Sequence, residues 1–109
     1  MEIKCSDVPI IGRKFFMLDG KVEVGWIYFY PLLNSHPRPV GYVEDLFVNA
    51  SSRNRGIGIT LANLVLDAAK QANCYKSIAT SRYENVRAHS LWEKLGYRDY
   101  GKEFRLNLA

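Results

Sequence analysis

The sequence has little cysteine and no long apolar run, and each absence excludes a class of protein. Cys5 and Cys74 are the only two cysteines, and their spacing does not match a metal-ligand motif. We therefore predict free thiols, no structural disulfide and no bound metal. No apolar stretch approaches the ~20 residues of a membrane span, and Met1–Asp7 contains no apolar signal-peptide core. A cytoplasmic location without a membrane partner is the expectation that follows.

The chain also lacks an excess of acidic residues, because 15 Lys and Arg side chains outnumber 11 Asp and Glu for a net charge of +4. Such a charge is compatible with nucleic-acid binding. The basic residues form no long run, however, and Arg53 and Arg55 lie together where a small anionic ligand would account for them. We therefore predict no nucleic-acid partner. The length and the 48% hydrophobic content predict one domain over residues 1–109.

Hydrophobic periodicity and turn residues predict the element order β-β-β-α-β-α-β-β. Asp19-Gly20 indicates a hairpin, and the proline-rich stretch Pro31–Pro39 indicates a loop. Asn73 and Gly96 are expected to end the two helices, because both residue types tolerate the left-handed conformation that follows a helix. Ile3–Cys5 is a further strand candidate. The predicted strands are Arg13–Leu18, Lys21–Tyr30, Val40–Val48, Lys76–Ser81, Tyr97–Tyr100 and Glu103–Leu108, and the predicted helices are Gly58–Ala72 and Asn85–Leu95.

One stretch organises the rest of the chain: a strand, a basic loop and the start of a helix. The apolar run Val43–Val48 is followed by the polar loop Asn49–Asn54 and then by Gly56 and Gly58. Glycines let a ligand approach the backbone, and the first N–H groups of a helix lack intrahelical partners, so an anion is favoured there. The spacing of the glycines fits neither the P-loop nor the dinucleotide-binding fingerprint. A different phosphate-containing ligand is therefore expected.

Two motifs carry a family resemblance. Arg53-Asn54-Arg55-Gly56-Ile57-Gly58 fits the pattern Arg/Gln-x-x-Gly-x-Gly, and Asn85–Tyr97 is similar to Asn-x-x-Ala-x-x-x-Tyr-x-Lys-x-Gly-Phe. In this order and at this separation they resemble the signatures of the GNAT family of acetyl-CoA-dependent N-acetyltransferases. The resemblance covers the chain from about Lys21 to the C-terminus. It implies an α/β (α+β) fold in which a mixed central sheet of about six to seven strands is flanked by two main helices.

The resemblance implies a binding site for acetyl-CoA as co-substrate. Backbone N–H groups from Arg55 to Thr60 would cradle the pyrophosphate, and the backbone of Leu46–Val48 would pair with the pantetheine arm like an added strand. Asn85 matches an asparagine that contacts the cofactor in the family, whereas a helix N-cap is the alternative and both roles are compatible. The predicted cofactor-binding residues are Leu46, Phe47, Val48, Arg53, Arg55, Gly56, Ile57, Gly58, Ile59, Thr60, Asn85 and Trp92.

The resemblance also implies the groups that act on the acceptor. Val43–Val48 is similar to the Leu-Glu-Asp-Phe-Phe-Val strand of polyamine acetyltransferases, in which the Glu is the base and the Asp helps to bind the cationic acceptor. Glu44 is therefore the predicted catalytic base, directly or through water, and Asp45 is the predicted acceptor-binding residue. A structural carboxylate paired with Arg or Lys is the alternative for Glu44. Successive strand residues point to opposite faces, so both acids reach one face only if a bulge intervenes.

Trp92 occupies the position at which many family members carry a tyrosine that protonates the leaving thiolate. An indole N–H is a donor only and cannot act as an acid at neutral pH. Either Tyr83 substitutes as the catalytic acid, or no acid is needed because a thiol with a pKa of about 8.5 leaves as a thiolate. A third alternative is that the chain is a non-catalytic module that binds acyl-CoA or has a regulatory role.

The N-terminal part is shorter than the resemblance implies. The family begins with a strand and two helices that wall the acceptor site, whereas about twelve residues precede the first clear strand here, too few for two helices. Either a second subunit supplies the wall, which predicts a homodimer, or the site is open to a large or weakly discriminated amine. The predicted activity is direct transfer of an acetyl group from acetyl-CoA to a primary amine, either a small cationic amine or a peptide amine.

Overall fold

Four strands, two α-helices and one short 3-10 turn form the regular structure, and the computed structural model describes residues 1–109. The chain has a mixed α/β fold and divides into two units, Met1–Ala79 and Thr80–Ala109. Neither α-helix combines the length and the apolar character that crossing a membrane requires. The elements are β1 (Arg13–Asp19), β2 (Val22–Leu32), β3 (Val40–Val48), α1 (Ile57–Gln71) and β4 (Lys76–Ala79) in the first unit and α2 (Val86–Lys94) in the second.

The sheet of the first unit has the strand order β1-β2-β3-β4. The pairs β1–β2 and β2–β3 are antiparallel and the pair β3–β4 is parallel, so the sheet is mixed. Strand β2 is an interior strand, and the far end of its sequence is apolar on both faces, as is typical of such a strand. The β1–β2 connection is the tight turn predicted from Asp19-Gly20, and Gly20 has a φ of 62°, which glycine adopts without strain.

Helix α1 packs on one face of this sheet through an apolar stripe. The sheet carries two glycines at the contact: a Cβ on Gly25 would lie 2.9 Å from Ile57 Cγ2, and a Cβ on Gly41 would lie 3.3 Å from Ala69 Cβ. Helix and sheet therefore approach closely. Each large aliphatic side chain buried there contributes about 1.5–3 kcal/mol to folding. The buried side chains of α1 are Ile57, Leu61, Ala62, Val65, Ala68 and Ala69.

Both helices end as predicted, at a residue in the left-handed conformation. Asn73 follows the end of α1 with a φ of 60°, and Gly96 follows the end of α2 with a φ of 96°. After α1, the Cys74 N–H donates to the Ala69 carbonyl at 3.0 Å. Such bonds satisfy carbonyl groups that have no partner within the helix. The local sequence thus determined where each helix stops.

The sheet has four strands, and the prediction of about six to seven is not confirmed. Tyr97–Tyr100 and Glu103–Leu108 form no strand, and neither does Ile3–Cys5. These predictions rested on apolar content and alternation, but a strand also requires a neighbour that completes its backbone hydrogen bonds. The alternating apolar side chains of the last segment are exposed. The prediction of a single domain over residues 1–109 stays a prediction.

Strand β2 extends beyond its predicted end, so the loop begins after Leu32 and not at Pro31. Pro31 pairs with Gly41, and Leu32 pairs with Val40. Strand β1 pairs with β2 only as far as Phe29. Beyond this residue β2 has a neighbour on one side, and a proline without an N–H donor is tolerated on such an edge.

Candidate active site

Strand β3 contains a bulge at the two adjacent acidic residues. Tyr28 of β2 pairs with Glu44 and Trp26 pairs with Phe47, so β2 advances by two residues while β3 advances by three. The extra residue is accommodated at Asp45, whose φ is 57°. Few non-glycine residues adopt this conformation, and aspartate is among those enriched in it. The bulge on which the placement of both acids depended is therefore present.

The bulge brings both carboxylates to the same face of the sheet. Directly opposed residues of an antiparallel pair share a face, so Glu44 lies on the face of Tyr28. The Asp45 carboxylate reaches this face as well, because its Oδ2 atom accepts a hydrogen bond of 3.2 Å from the Trp26 indole N–H. Both acids are exposed, and Glu44 has no ion-pair partner. The structure therefore does not support a structural ion pair as the role of Glu44.

Beyond the bulge, strand β3 continues without β4 beside it. The parallel pairing of β3 with β4 ends at Val43 and Ala79, whereas β3 continues to Val48. On the β4 side, the backbone of Leu46–Val48 therefore has no strand partner. Phe47 is exposed, and Leu46 and Val48 are half-buried. An extended ligand can add to such an edge through main-chain hydrogen bonds.

The loop after β3 returns onto the end of the strand. Asn49 precedes a 3-10 turn at Ala50–Ser52, and its side-chain oxygen accepts a hydrogen bond from the Ser51 N–H. The Arg53 Nε atom then donates to the Val48 carbonyl at 3.3 Å. Arg53 is exposed and lies beside the unpaired edge of β3. The predicted phosphate-binding arginine and the predicted pantetheine-binding strand are thus direct neighbours.

Helix α1 begins without a side-chain cap and without an acidic residue in its first turn. Gly56 precedes it with a φ of 76°, and no atom lies within 4 Å of the position that a Cβ would take. The first N–H groups of the helix, from Ile57 to Ile59, have no carbonyl partner within the helix. Thr60 is exposed, and its hydroxyl donates to the Gly56 carbonyl at 2.8 Å. This helix start can accept a phosphate group through its N–H groups and its dipole.

Arg55 adds positive charge to the loop before α1. Its Nη1 atom lies 3.8 Å from Oδ2 of Asp19 at the β1–β2 turn. Both side chains are largely exposed, so water screens the attraction between them. The contact leaves most of the guanidinium N–H donors for an anionic ligand.

The second unit carries Tyr83, Asn85 and Trp92, each described here within that unit. Asn85 is the N-cap of α2, because its side-chain oxygen accepts a hydrogen bond of 3.2 Å from the Ala88 N–H. The N-cap interpretation is confirmed, and contact between Asn85 and a cofactor stays a prediction. The buried Trp92 ring meets the Tyr97 ring edge-on, with 5.0 Å between centroids. Tyr83 is exposed, and its role as an acid also stays a prediction.

Two pKa shifts occur outside the predicted site residues. The hydrogen bond with Glu23 raises the pKa of Lys14, against a smaller opposing effect of desolvation. Burial raises the pKa of the Cys74 thiol, and the positive charge of Arg38 opposes that shift. Lys14 Nζ lies 5.4 Å from the centre of the Trp26 ring. Lys14 is therefore a charged neighbour of this ring at physiological pH.

Trp26 and Asp19 lie at the site but were not predicted as site residues. Trp26 lies within the predicted strand Lys21–Tyr30, and Asp19 lies within the predicted hairpin turn Asp19-Gly20. The indole N–H of Trp26 was a usable signal, because a partly buried tryptophan needs an acceptor for this group. No signal in the sequence joined Asp19 to Arg55, because their contact depends on the position of the hairpin relative to the loop.

Comparison with known proteins agrees with this arrangement of strand, loop and helix. Residues 10–97 match the model of the acetyltransferase (GNAT) family. The chain belongs to the GNAT family. The resemblance drawn from the two sequence motifs is thereby confirmed.

This GNAT chain is similar to two glucosamine 6-phosphate N-acetyltransferases. It is 32% identical to the Candida albicans protein over 101 residues, which cover 90% of the chain and 66% of that protein. It is 34% identical to the Trypanosoma brucei brucei protein over 71 residues, which cover 65% of the chain and 46% of that protein. The chain therefore spans less than two thirds of the length of these relatives.

A solved structure shows the same fold. The crystal structure of an acetyltransferase from Trypanosoma brucei is similar to the chain with a TM-score of 0.74 and 29% identity. The match covers 91% of this chain and 69% of that one. It supports the assignment of the strands and helices to a mixed α/β GNAT fold.

Proposed function

We propose that the chain is an acetyl-CoA-dependent N-acetyltransferase that acts on the primary amine of a small molecule, which meets the enzyme as a cationic ammonium group. The main observation behind the proposal is that all of these groups lie on one continuous segment of the chain, from β3 to the start of α1. Glu44 and Asp45 share a face at the bulge of β3, and the same strand leads through the glycine loop to the uncapped start of α1. Three groups therefore follow one another along the chain: a candidate base, a carboxylate that can bind a cation, and a helix start that can bind an anion.

The residues of this segment fit acetyl-CoA, which supplies the acetyl group as a reactive thioester. The N–H groups at the start of α1 and the charge of Arg55 would hold the pyrophosphate. The edge of Leu46–Val48 would pair with the pantetheine arm as an added strand would. Gly56 matters because a side chain at its position would project into open space at the start of α1, where the phosphates would lie.

The carboxylates would act on the acceptor. An alkylammonium group with a pKa of about 10.4 is mostly protonated at neutral pH and cannot attack. Glu44 removes one proton, directly or through water, and the nitrogen lone pair then attacks the thioester carbonyl carbon. As the C–N bond forms, the C–S bond breaks and the sulfur leaves as a thiolate, while the second nitrogen proton passes to solvent. A backbone N–H of Phe47-Val48 stabilises the charge that develops on the carbonyl oxygen.

An amino sugar phosphate is the first acceptor to test. Both relatives described above are named for the acetylation of glucosamine 6-phosphate. Asp45 and Glu44 would attract the protonated amino group of such a sugar, and they would equally attract a polyamine or a lysine side chain. A panel of these amines therefore defines the acceptor class.

The deciding experiment measures the release of CoA thiol from acetyl-CoA in the presence of single amines. The panel contains glucosamine 6-phosphate, glucosamine, a polyamine and a lysine peptide, and mass spectrometry identifies the acetylated product. We expect release that depends on one class of amine. Acetyl-CoA binding in calorimetry with no release above the amine-free blank would contradict the proposal. That result would favour a non-catalytic module, in which the replacement of the family tyrosine by Trp92 would be the reason for inactivity.

A homodimer and a cytoplasmic location stay predictions from the sequence. Light scattering at high protein concentration checks the first of them. A mass twice that of the 12.5 kDa chain is the expected result, and the mass of a single chain would contradict it.

A further inference from the structure

The indole of Trp26 makes three contacts at the site, but neither binding nor catalysis has been assigned to it so far. Its N–H donates to Asp45 Oδ2 at 3.2 Å, and its ring stacks on Phe47 with 4.5 Å between centroids and 25° between planes. Lys14 Nζ lies 5.4 Å from the ring centre and is itself paired with Glu23. These contacts fix both the plane of the indole and the direction of its N–H.

We propose that Trp26 is a positioning residue, whose indole N–H holds the Asp45 carboxylate in the orientation that binds the ammonium group of the acceptor. This inference rests on the proposed function. Asp45 is exposed, and without a partner its side chain would sample several rotamers. A hydrogen bond to Oδ2 removes much of that freedom. A carboxylate has about four acceptor positions, so most of them remain for the amine.

The chemistry of the indole suits this role better than that of a basic side chain. An indole N–H is a neutral donor, so it orients Asp45 without cancelling its negative charge. A lysine or arginine at this position would form an ion pair with Asp45 and compete with a cationic acceptor. Lys14, whose Nζ atom lies 5.4 Å from the centre of the ring, is paired with Glu23. The attraction of Asp45 for an amine is therefore preserved.

The same ring also contacts the strand segment proposed to bind acetyl-CoA. Phe47 stacks on the indole, and its backbone belongs to the edge that would pair with the pantetheine arm. The replacement Trp26→Phe can keep an aromatic stack on Phe47 while it removes the N–H donor. This variant therefore removes the hydrogen bond to Asp45 and keeps the stacking contact with Phe47, so the two effects can be measured separately.

The kinetic test compares Trp26→Phe with the wild type and with Tyr30→Phe, an aromatic control on the same strand face. Loss of one charge-assisted hydrogen bond predicts an amine KM about tenfold higher in Trp26→Phe. The KM for acetyl-CoA and the amine KM of Tyr30→Phe are expected to stay at wild-type values. Thermal unfolding confirms that each variant is folded. An amine KM that is unchanged in Trp26→Phe would overturn the proposal.

A spectroscopic test uses the wild-type fold and does not require turnover. The chain has two tryptophans, so the ¹H–¹⁵N spectrum contains two indole N–H signals, and the one lost in Trp26→Phe is assigned to Trp26. Asp45→Asn should move this signal, because a carboxylate acceptor becomes an amide. Addition of the amine should also move it in the wild type but not in Asp45→Asn. A Trp26 signal that is insensitive to Asp45→Asn would overturn the proposal.

The two tests separate failure of this inference from failure of the proposed function. If the wild type acetylates no amine, the proposed function fails, and titration of the Trp26 signal with glucosamine 6-phosphate and with a polyamine decides the inference. A shift that Asp45→Asn abolishes supports it, and the absence of any shift overturns it. If acetylation occurs and Trp26→Phe keeps the wild-type amine KM, the proposed function stands and the inference fails.

Discussion

The Arg55 guanidinium lies 3.8 Å from the Asp19 carboxylate, and this contact joins the β1–β2 turn to the loop before α1. Asp19 therefore places a negative charge beside a loop proposed to bind the phosphates of acetyl-CoA. The two residues are far apart in sequence, and the contact arises because β1 and α1 belong to the same packed unit.

Replacement of Asp19 by Asn should strengthen acetyl-CoA binding. The carboxylate competes with phosphate for Arg55, but an exposed pair is weak, so we expect a gain in affinity of about twofold to fivefold. Isothermal titration calorimetry at low and high salt measures it, and the gain should shrink at high salt because ions screen exposed charges. Glu2→Gln, which breaks the exposed pair with Lys4, is the control and should leave affinity unchanged. Weaker binding by Asp19→Asn would contradict the competition between Asp19 and phosphate.

Replacement of Gly56 by Val should abolish acetyl-CoA binding. Valine is disfavoured at a φ of 76°, at a cost of about 1–3 kcal/mol, and its side chain would project beside the start of α1. Gly20→Val is a matched control, because Gly20 also has a positive φ and open space around it. Thermal unfolding should show a similar loss of stability in both variants, and calorimetry should show loss of binding in Gly56→Val alone. Tight binding by Gly56→Val would refute the placement of the phosphates.

Glu44→Gln tests the proposed base. A general base contributes about 10²–10⁴-fold to the rate, so kcat/KM for the amine should fall within that range. The loss should be present at each pH at which the wild type is active, because the protonated amine needs a base throughout. Rates measured across pH test this, with Glu103→Gln, a change at another exposed glutamate, as the control. Full activity of Glu44→Gln across this range would exclude Glu44 as the base.

The two cysteines should differ in reactivity. Burial raises the pKa of the Cys74 thiol, and only the thiolate is nucleophilic, so alkylation of Cys74 should be slow near neutral pH and should accelerate as pH rises through its elevated pKa. Cys5 is exposed and accessible to reagent. The single-thiol variants Cys5→Ser and Cys74→Ser allow each rate to be followed with iodoacetamide by mass spectrometry. Faster alkylation of Cys74 than of Cys5 at neutral pH would contradict the partial burial of the Cys74 thiol.

Features that depend on neighbouring residues were predictable from the sequence. The stripe of α1, the stop at Asn73 and the N-cap at Asn85 follow from side-chain periodicity and from hydrogen bonds within a few residues. The glycine loop belongs to the same class, because the left-handed Gly56 and the helix after it are local features. The sequence also predicted that Glu44 and Asp45 could reach the same face only if the strand contained a bulge.

Features that depend on distant residues were not predictable in the same way. The predicted closing strands Tyr97–Tyr100 and Glu103–Leu108 failed because alternation does not specify a partner strand. The hydrogen bond between Trp26 and Asp45 joins two strands, and the register shift that makes it possible appears only when β2 and β3 pair.

The sequence by itself determined the family, the order of the main elements and the identity of the residues in the glycine loop, because these depend on local backbone preferences and short motifs. Only the tertiary structure decided that Glu44 and Asp45 share a face, that Trp26 holds Asp45 and that Asp19 meets Arg55. The physical reason is that strand register and packing depend on many small free-energy contributions from residues far apart in the chain. A short stretch of sequence includes only a few of these contributions, so it does not determine the outcome.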